Sequence, residues 1–501
     1  METLRIPLAD GVELGADLYK PTTASKGIVL VRGPYGRSFV FSRPLAAVWA
    51  AQGYTVLFVS SRGTADSGGV LDPMRTEARD GHDVIAWMRT QPWYDGRFAT
   101  MGVSYLGHTQ WAILDEPEPD HVAAIIAVGP HDFARHTWGT GSFNLDQYGW
   151  AEQIVLLRGN LLRTAIGLAT SERRLRPLMR AVPTADAVLA HFRDRTPWLR
   201  DRLTRSDIDD PYWAGARHEV ALQRANIPIL IFSGLQDLFE RQSVEQFRTL
   251  TDRGVTTAMT LGPWTHNELS NVPDIYRETL AWLDTYLAGE PHPRPHRVRV
   301  FDSGTQRWLE SENWPVASRT IDYTLGGDGV LGGPPGERSF VYDPADATPT
   351  IGGNVITSEG GFRDDSPLAA REDVLVWETA PLTDDLALGG APQVVLENAA
   401  EYPDADVFVR ISDVDPNGRA QNVSEGFVRL QGEAVNGKVR IELFDTAHTF
   451  RAGHRLRSVV AGGSFPQFAG NSGYGGNPLM ATKFRANRHT ITGGTLTLPL
   501  R

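Results

Sequence analysis

The run Ala99-Thr100-Met101-Gly102-Val103-Ser104-Tyr105-Leu106-Gly107 decides the fold. Residues 99–103 have strand character and lead straight into a serine, and a helix-forming stretch through Gln110, Trp111 and Ile113 follows. A nucleophile elbow has this form: a serine hydroxyl displayed on a tight strand-to-helix turn, with glycine beside it where a side chain would strike neighbouring backbone. The general motif places glycine two residues after the serine. Here Leu106 stands at that position and Gly107 follows, so the motif matches in part.

Outward from the elbow, further short buried strands are read at 28–31, 54–59 and 123–128, with helix-spaced apolar residues at 44–51 and 77–89. Strand and helix in alternation imply a parallel sheet covered on both faces. The alternation stops near residue 131 and resumes with a strand at 227–232, a helix at 244–251, a strand at 257–261 and a helix at 275–287. The interruption contains no strand signal and reads as several short helices carrying eleven arginines between Arg158 and Arg205. Those arginines suit a solvated helix surface, or a docking face for an acidic partner. The segment 289–295 is rich in proline and reads as a stiff linker. His292 and His296 have metal-like spacing there, but the intervening prolines deny them a shared helix face. Beyond it, alternating runs such as 297–301 and 439–443 between Gly, Pro and Asp turns predict an all-β sandwich.

Two further groups follow Ser104 in the order serine, acid, histidine. Asp237 comes after the strand 229–232 through Ser233-Gly234-Leu235-Gln236, and His266 follows the next strand in Leu261-Gly262-Pro263-Trp264-Thr265-His266. Both positions lie at the carboxyl edge of the sheet. Aspartate is common in turns for its own hydrogen bonds, so the order of the three residues carries the reading. His108 sits too near the serine on its own helix, and His131 precedes the candidate acid. A serine hydroxyl becomes nucleophilic when an imidazole accepts its proton, and a carboxylate fixes that imidazole's tautomer. The three together make an acyl-enzyme and hydrolyse it.

Composition narrows the alternatives. The chain has 501 residues, enough for two or three cores, with 41% hydrophobic and 22% charged residues and no run able to cross a bilayer. A formal net charge of -11 disfavours nucleic-acid binding. Cysteine is absent, which excludes zinc-cysteine sites and catalytic thiols, and the start METLRIPLADG lacks secretory character. These features predict a cytoplasmic protein.

Several groups of residues jointly resemble one known family. They are Arg32-Gly33-Pro34-Tyr35, Arg62-Gly63, Glu77 with Asp80-Gly81, Gln91-Pro92-Trp93, the elbow, and Gly262-Pro263-Trp264-Thr265-His266. The β region adds Trp308, Trp314-Pro315, Tyr342-Asp343-Pro344-Ala345-Asp346, Ser412-Asp413-Val414-Asp415, Asp445-Thr446-Ala447-His448 and Arg451-Ala452-Gly453-His454. The chain resembles, over nearly its whole length, the family of bacterial cocaine esterases, X-prolyl dipeptidyl aminopeptidases and α-amino-acid ester hydrolases. The resemblance implies an α/β-hydrolase core at 1–131 and 223–290, an inserted helical cap at 132–222, and a jelly-roll-like β domain at 291–501. It implies Ser104, Asp237 and His266 as the catalytic triad, and glycine third after the serine as the family's usual form. It also implies an oxyanion hole made by the phenol of Tyr35 and the backbone N–H of Tyr105. Trp138, Trp150 and Phe239 would stand at the acyl pocket by the same similarity, although each aromatic equally suits core packing. One departure concerns Arg62: the family has an acidic residue shortly before this arginine, whereas Phe58-Val59-Ser60-Ser61 precedes it here, so Arg62 is expected to have lost a partner.

The leading expectation is hydrolysis of a small carboxylic ester through an acyl-enzyme, with neither metal nor organic cofactor. Cleavage of an amide or peptide and acyl transfer to an amine or alcohol are enzymatic alternatives, the last with the arginine-rich cap docking an acidic carrier protein. From another class comes a binding protein on a retired hydrolase scaffold, using its β domain for carbohydrate.

Overall fold

Long apolar runs fold as strands buried along their whole length, which sets the layout of the first 311 residues. A computed structural model describes residues 1–37, 43–159, 161–269, 272–292 and 294–501. In chain order come β1 (Glu2–Pro7), β2 (Glu13–Tyr19), β3 (Ile28–Gly33), α1 (Arg43–Ala51), β4 (Thr55–Ser60), α2 (Glu77–Met88), β5 (Phe98–Val103), α3 (Tyr105–Leu114) and β6 (His121–Ala127). The helical insertion follows as α4 (Phe133–Trp138), α5 (Asp146–Leu156), α6 (Leu161–Met179), α7 (Thr184–Phe192), α8 (Leu199–Thr204) and α9 (Glu219–Arg224). The sheet then resumes with β7 (Ile229–Gln236), α10 (Glu240–Asp252), β8 (Thr257–Thr265), α11 (Pro273–Leu283), β9 (Val298–Asp302) and β10 (Arg307–Ser311).

Ten strands make one sheet in the order β1-β2-β4-β3-β5-β6-β7-β8-β9-β10. From β4 to β9 the pairings are parallel. Every residue of β3 and β4 is buried, as a sheet with both faces covered requires. The order reverses at β3, and ligands of open α/β sheets bind where strand order reverses, beyond the carboxyl ends. Ser104 stands at that edge. The fold is that of an α/β hydrolase with a helical insertion after β6.

Three sequence readings need amendment. The hairpin of β1 and β2 is not among the strands read from the sequence: Leu14, Ala16 and Leu18 alternate with Glu13, Gly15 and Asp17, yet β2 is buried throughout from Leu14 to Tyr19. By its alternation the run 297–301 reads as part of the β domain, whereas β9 pairs parallel with β8, Val298 opposite Met259, and brings β10 with it onto the hydrolase sheet. The proline-rich linker is no free spacer either. Arg294 donates to Thr260 Oγ1 at 2.8 Å and pairs with Glu278, which pins the segment to α11 and β8; Pro293 lies outside the described residues.

Ten of the eleven arginines between Arg158 and Arg205 are exposed, as a solvated face requires, although several of them have partners within the chain. Arg174 pairs with Glu152, Arg176 with Glu359 and Arg205 with Asp210, Arg195 donates to the Phe192 carbonyl, and Arg202 is fully buried.

The remaining strands are β11 (Arg319–Thr324), β12 (Arg338–Tyr342), β13 (Val374–Glu378), β14 (Leu386–Gly390), β15 (Gln393–Ala400), β16 (Asp404–Val414), β17 (Ala420–Gln431), β18 (Gly437–Glu442), β19 (Thr446–Phe450), β20 (Arg455–Ala461) and β21 (Asn487–Leu500). They form a seven-stranded and a four-stranded antiparallel sheet. Val394, Leu396, Val407, Val409, Ile411 and Leu496, all fully buried, belong to their common core. Stopping the chain after Gly289 would remove this sandwich and also β9 and β10, baring the β8 edge. The expected product is insoluble or inactive, tested by expression and ester turnover. A soluble fragment with full activity would make the β domain a separable module.

Where the sandwich meets α10, Asp445 is buried and accepts from Trp314 Nε1 at 2.8 Å. Burial pushes its carboxyl up to about 6, against the opposing pull of that indole. An unfolded aspartate titrates near 3.9. Between these values the folded chain keeps a proton that the unfolded chain has lost, so stability falls as pH rises through the window. The loss is about 3 kcal/mol and is complete above the folded value. Asp445→Asn keeps an acceptor for Trp314 but cannot ionise. It is therefore expected to melt near the parent at about pH 4 and above it at about pH 7, since only the parent titrates between. A pH-independent offset between the two melting temperatures would contradict this.

Candidate active site

Ser104 occupies the turn from β5 into α3 with φ 60° and ψ -119°, a left-handed backbone that a serine holds only under constraint. Its N–H donates to the Ala127 carbonyl at 2.8 Å, while its own carbonyl accepts from Gly107 and His108. The glycine displaced by one position has a physical reason. A Cβ on Gly107 would lie 2.6 Å from the Cα of Gly129, whereas Leu106 lies where a Cβ on Gly33 would come within 2.4 Å of its Cδ1. The third position after the serine therefore meets backbone, and the second has room for leucine.

Asp237 follows β7, and its N–H closes the turn on the Gly234 carbonyl at 3.1 Å. His266 follows β8. The two turns press together, since a Cβ on Gly234 would come 2.0 Å from the Trp264 carbonyl oxygen. His266 Nδ1 lies 2.6 Å from Asp237 Oδ2, and Nε2 lies 2.8 Å from Ser104 Oγ. Asp237 is fully buried and His266 nearly so. The other carboxylate oxygen, Oδ1, accepts the Phe239 N–H at 2.7 Å. With Nδ1 protonated toward the aspartate, Nε2 is bare and faces the serine hydroxyl. The structure thus brings together the three residues singled out in the sequence.

Tyr35 lies within hydrogen-bond reach of Ser104, and its phenol oxygen accepts from Trp150 Nε1 at 3.2 Å. Burial raises its ionisation above the ordinary tyrosine range, so it stays a donor. Tyr105 is the first residue of α3, where a helix leaves its N–H without an internal acceptor. The Tyr105 side chain points away into a buried chain: its hydroxyl donates to Glu77 Oε1 at 2.8 Å, and Glu77 Oε2 accepts from Arg32 at 2.7 Å. Arg62 has not lost its partner. Asp80 takes both Nε and Nη2 at 2.9 and 2.7 Å, and Asp10 lies 2.8 Å from Nη1.

A cleft of about 680 Å3 opens between α5, α6, the histidine turn and the loop 350–363 of the β domain. Trp150, Gln153, Leu175, Met179, Thr265 and Val355 are among its walls. Of the three aromatics expected at the pocket, Trp150 is among its walls and Trp138 and Phe239 are not; nor are Ser104, His266 and Tyr35, so the cleft adjoins the Asp237–His266–Ser104 line at Thr265 rather than containing it. Trp138 is packed inside the protein against Phe143 and donates its indole N–H to the Arg202 carbonyl at 2.9 Å. Phe239 lies edge-on to His266, with ring centroids 5.4 Å apart, and braces the imidazole. Sequence reading missed Asn354, whose Nδ2 donates to the Asp237 carbonyl at 2.8 Å and so ties the β domain to the acid turn. Asn422 Nδ2 adds a second tie, to Gln236 Oε1 at 2.8 Å. No local pattern marks either asparagine.

His292 and His296 have separate partners, Asp284 and Glu312. Asp284, Glu290 and His292 do approach one another closely, yet the Lys26 ammonium lies 3.1 and 3.0 Å from the first two and fills the role a cation would play there.

Residues 10–268 match the family model of the X-Pro dipeptidyl-peptidase (S15 family), and 293–497 that of the X-Pro dipeptidyl-peptidase C-terminal non-catalytic domain. A cocaine esterase of Rhodococcus sp. (strain MB1 Bresler) is 27% identical over 542 residues, covering 94% of this chain and 92% of that protein. Among solved structures, an α-amino acid ester hydrolase superposes with a TM-score of 0.84 at 21% identity, covering 100% of this chain and 96% of that one. An aminopeptidase from a marine sediment Thaumarchaeota archaeon gives 0.83 at 23%, covering 100% and 97%. The two structures share the fold, and the first family model takes in more than half of the sequence; the chain belongs to the X-Pro dipeptidyl-peptidase (S15) family of serine hydrolases.

Proposed function

We propose that this chain hydrolyses a carboxylic ester through an acyl-enzyme on Ser104. The supporting observation is the unbroken line Asp237–His266–Ser104, at 2.6 and 2.8 Å, ending beside the Tyr35 phenol. His266 Nε2 takes the hydroxyl proton as Oγ adds to the ester carbonyl, and the buried Asp237 carboxylate stabilises the imidazolium. The negative charge that builds on the carbonyl oxygen falls between the Tyr35 hydroxyl and the Tyr105 N–H. Collapse passes the proton from His266 to the departing alkoxide. Water, deprotonated by the same imidazole, then attacks the acyl-serine and releases the acid, restoring the serine hydroxyl. The apolar cleft walls at Trp150, Leu175 and Met179 suit a bulky or aromatic acyl group. A fluorophosphonate probe tests the reading: mass spectrometry of the labelled protein should place the adduct on Ser104. Folded protein that stays unlabelled would favour a binding protein on a hydrolase scaffold.

Amide cleavage is the second reading. It is favoured by the carboxylates of Asp146, Glu172, Glu268 and Glu359 in the cleft lining, against two arginines there, a balance that suits a substrate amine. Acyl transfer from an acidic carrier protein has less support, because several cap arginines already have internal partners.

A further inference from the structure

Arg202, in α8, is 1% exposed and sits at the inner side of the helical insertion. Its contacts are unusual for a buried cation. Nη1 donates to Gln147 Oε1 at 3.2 Å and Nη2 to the Pro73 carbonyl at 2.8 Å, while Nε has no partner. The Tyr212 hydroxyl also approaches it and the Asp72 carboxylate attracts it from farther off, but among the described residues no carboxylate forms an ion pair with it. Three rings surround it instead: its guanidinium carbon lies 4.6 Å from the centroid of Trp198, 4.7 Å from Phe133 and 5.5 Å from Trp150.

A charge out of water with no carboxylate in contact is costly, and an apolar side chain of similar length would fill a nest of aromatic rings at less expense. Packing alone therefore does not account for arginine here. The ring that links it to chemistry is Trp150. This indole donates to the Tyr35 phenol oxygen at 3.2 Å, and it is stacked on the Tyr105 ring at 5.9 Å and 12°. A cation close to an indole holds the ring through its quadrupole and makes the N–H a stronger donor. A hydroxyl whose oxygen accepts a stronger bond becomes the better donor in turn, because bonds in such a chain polarise one another.

We propose that Arg202 is a positioning residue for acyl transfer, fixing and polarising Trp150 so that the Tyr35 hydroxyl is aimed at the developing oxyanion. Arg202 itself touches no reacting atom. The inference rests on the reading of Tyr35 as an oxyanion donor.

The test is a double-mutant cycle on an ester substrate, reading kcat and KM separately. Arg202→Met and Arg202→Lys are each made with Tyr35 present and with Tyr35→Phe, and melting curves accompany every variant. With Tyr35 present, Arg202→Met should lower kcat about tenfold and leave KM within about twofold, and Arg202→Lys should lose less because the charge remains. In the Tyr35→Phe background the same substitutions should change kcat by less than about twofold, since the group they act through is gone. Equal losses in both backgrounds, or an unchanged kcat in folded Arg202→Met, would overturn the proposal. If Arg202→Met does not fold, Arg202→Lys in the two backgrounds decides by the same comparison. If Tyr35→Phe alone leaves kcat unchanged, the Tyr35 reading fails and this inference with it. If Tyr35→Phe is slow but the Arg202 variants are not, only this inference fails.

Discussion

Ser104→Ala is expected to fold normally and to lose turnover by about a million-fold, because a triad acts as a unit and removal of its nucleophile abolishes what the other two members contribute. The fold should tolerate the change, since the bonds that hold the turn belong to the backbone: the Ser104 N–H to Ala127, and the Ser104 carbonyl to Gly107 and His108. The φ of 60° remains a strain for alanine. Ser104→Gly should therefore be equally inactive but more stable than Ser104→Ala, since only glycine reaches that backbone region without cost. Steady-state turnover and thermal melts of the two variants check both statements. More than a few per cent of parental activity in either variant would place the nucleophile elsewhere.

What could be read in advance follows a physical division. The central parallel strands β3 to β8 are legible because they are buried over most of their length, so each appears as a largely apolar run whatever its partners are. Order along the chain then put Ser104, Asp237 and His266 at one sheet edge without any knowledge of packing. Interactions between distant residues were not legible. Arg62 has no acid just before it in the sequence, whereas Asp80 reaches it from the first turn of α2. Trp138 and Trp150 look alike as sequence, one belonging to the inner packing of the insertion and the other to the cleft wall. Their difference lies in which face of a short helix is covered, and helices of 6 and 11 residues carry too few turns to declare it.

The join between domains was hidden for a related reason. Alternation in β9 reports one buried face, and a strand on the edge of the hydrolase sheet has the same pattern as one in a sandwich. The chain continues through β9 and β10 before it enters the sandwich proper, and the sandwich reaches back through Asn354 and Asn422 to hold the acid turn. An aspartate whose backbone is fixed from a second domain presents its carboxylate at a constant angle to His266. That is a use for the β domain requiring no ligand of its own.

Tyr35→Phe separates chemistry from packing at the second side of the site. The ring contact with Tyr105, centroids 6.4 Å apart, survives the substitution, and only the hydroxyl is lost. A donor already aimed at the carbonyl oxygen stabilises the transition state more than the ground state, because charge accumulates on that oxygen only as Ser104 adds. The variant should therefore keep KM close to the parent while kcat falls about a hundred- to a thousand-fold, the usual cost of one oxyanion donor. Left alone, the Tyr105 N–H must hold the charge. A second effect points the same way. Trp150 Nε1 now donates to the Tyr35 oxygen, and without that oxygen the indole N–H loses its acceptor, so a small fall in melting temperature should accompany the fall in rate. Kinetics on an activated aryl ester, where acylation is easiest, and on a plain alkyl ester should both reveal the loss. A folded variant with an almost unchanged kcat on both substrates would remove Tyr35 from the oxyanion site and leave the Tyr105 N–H in need of another companion.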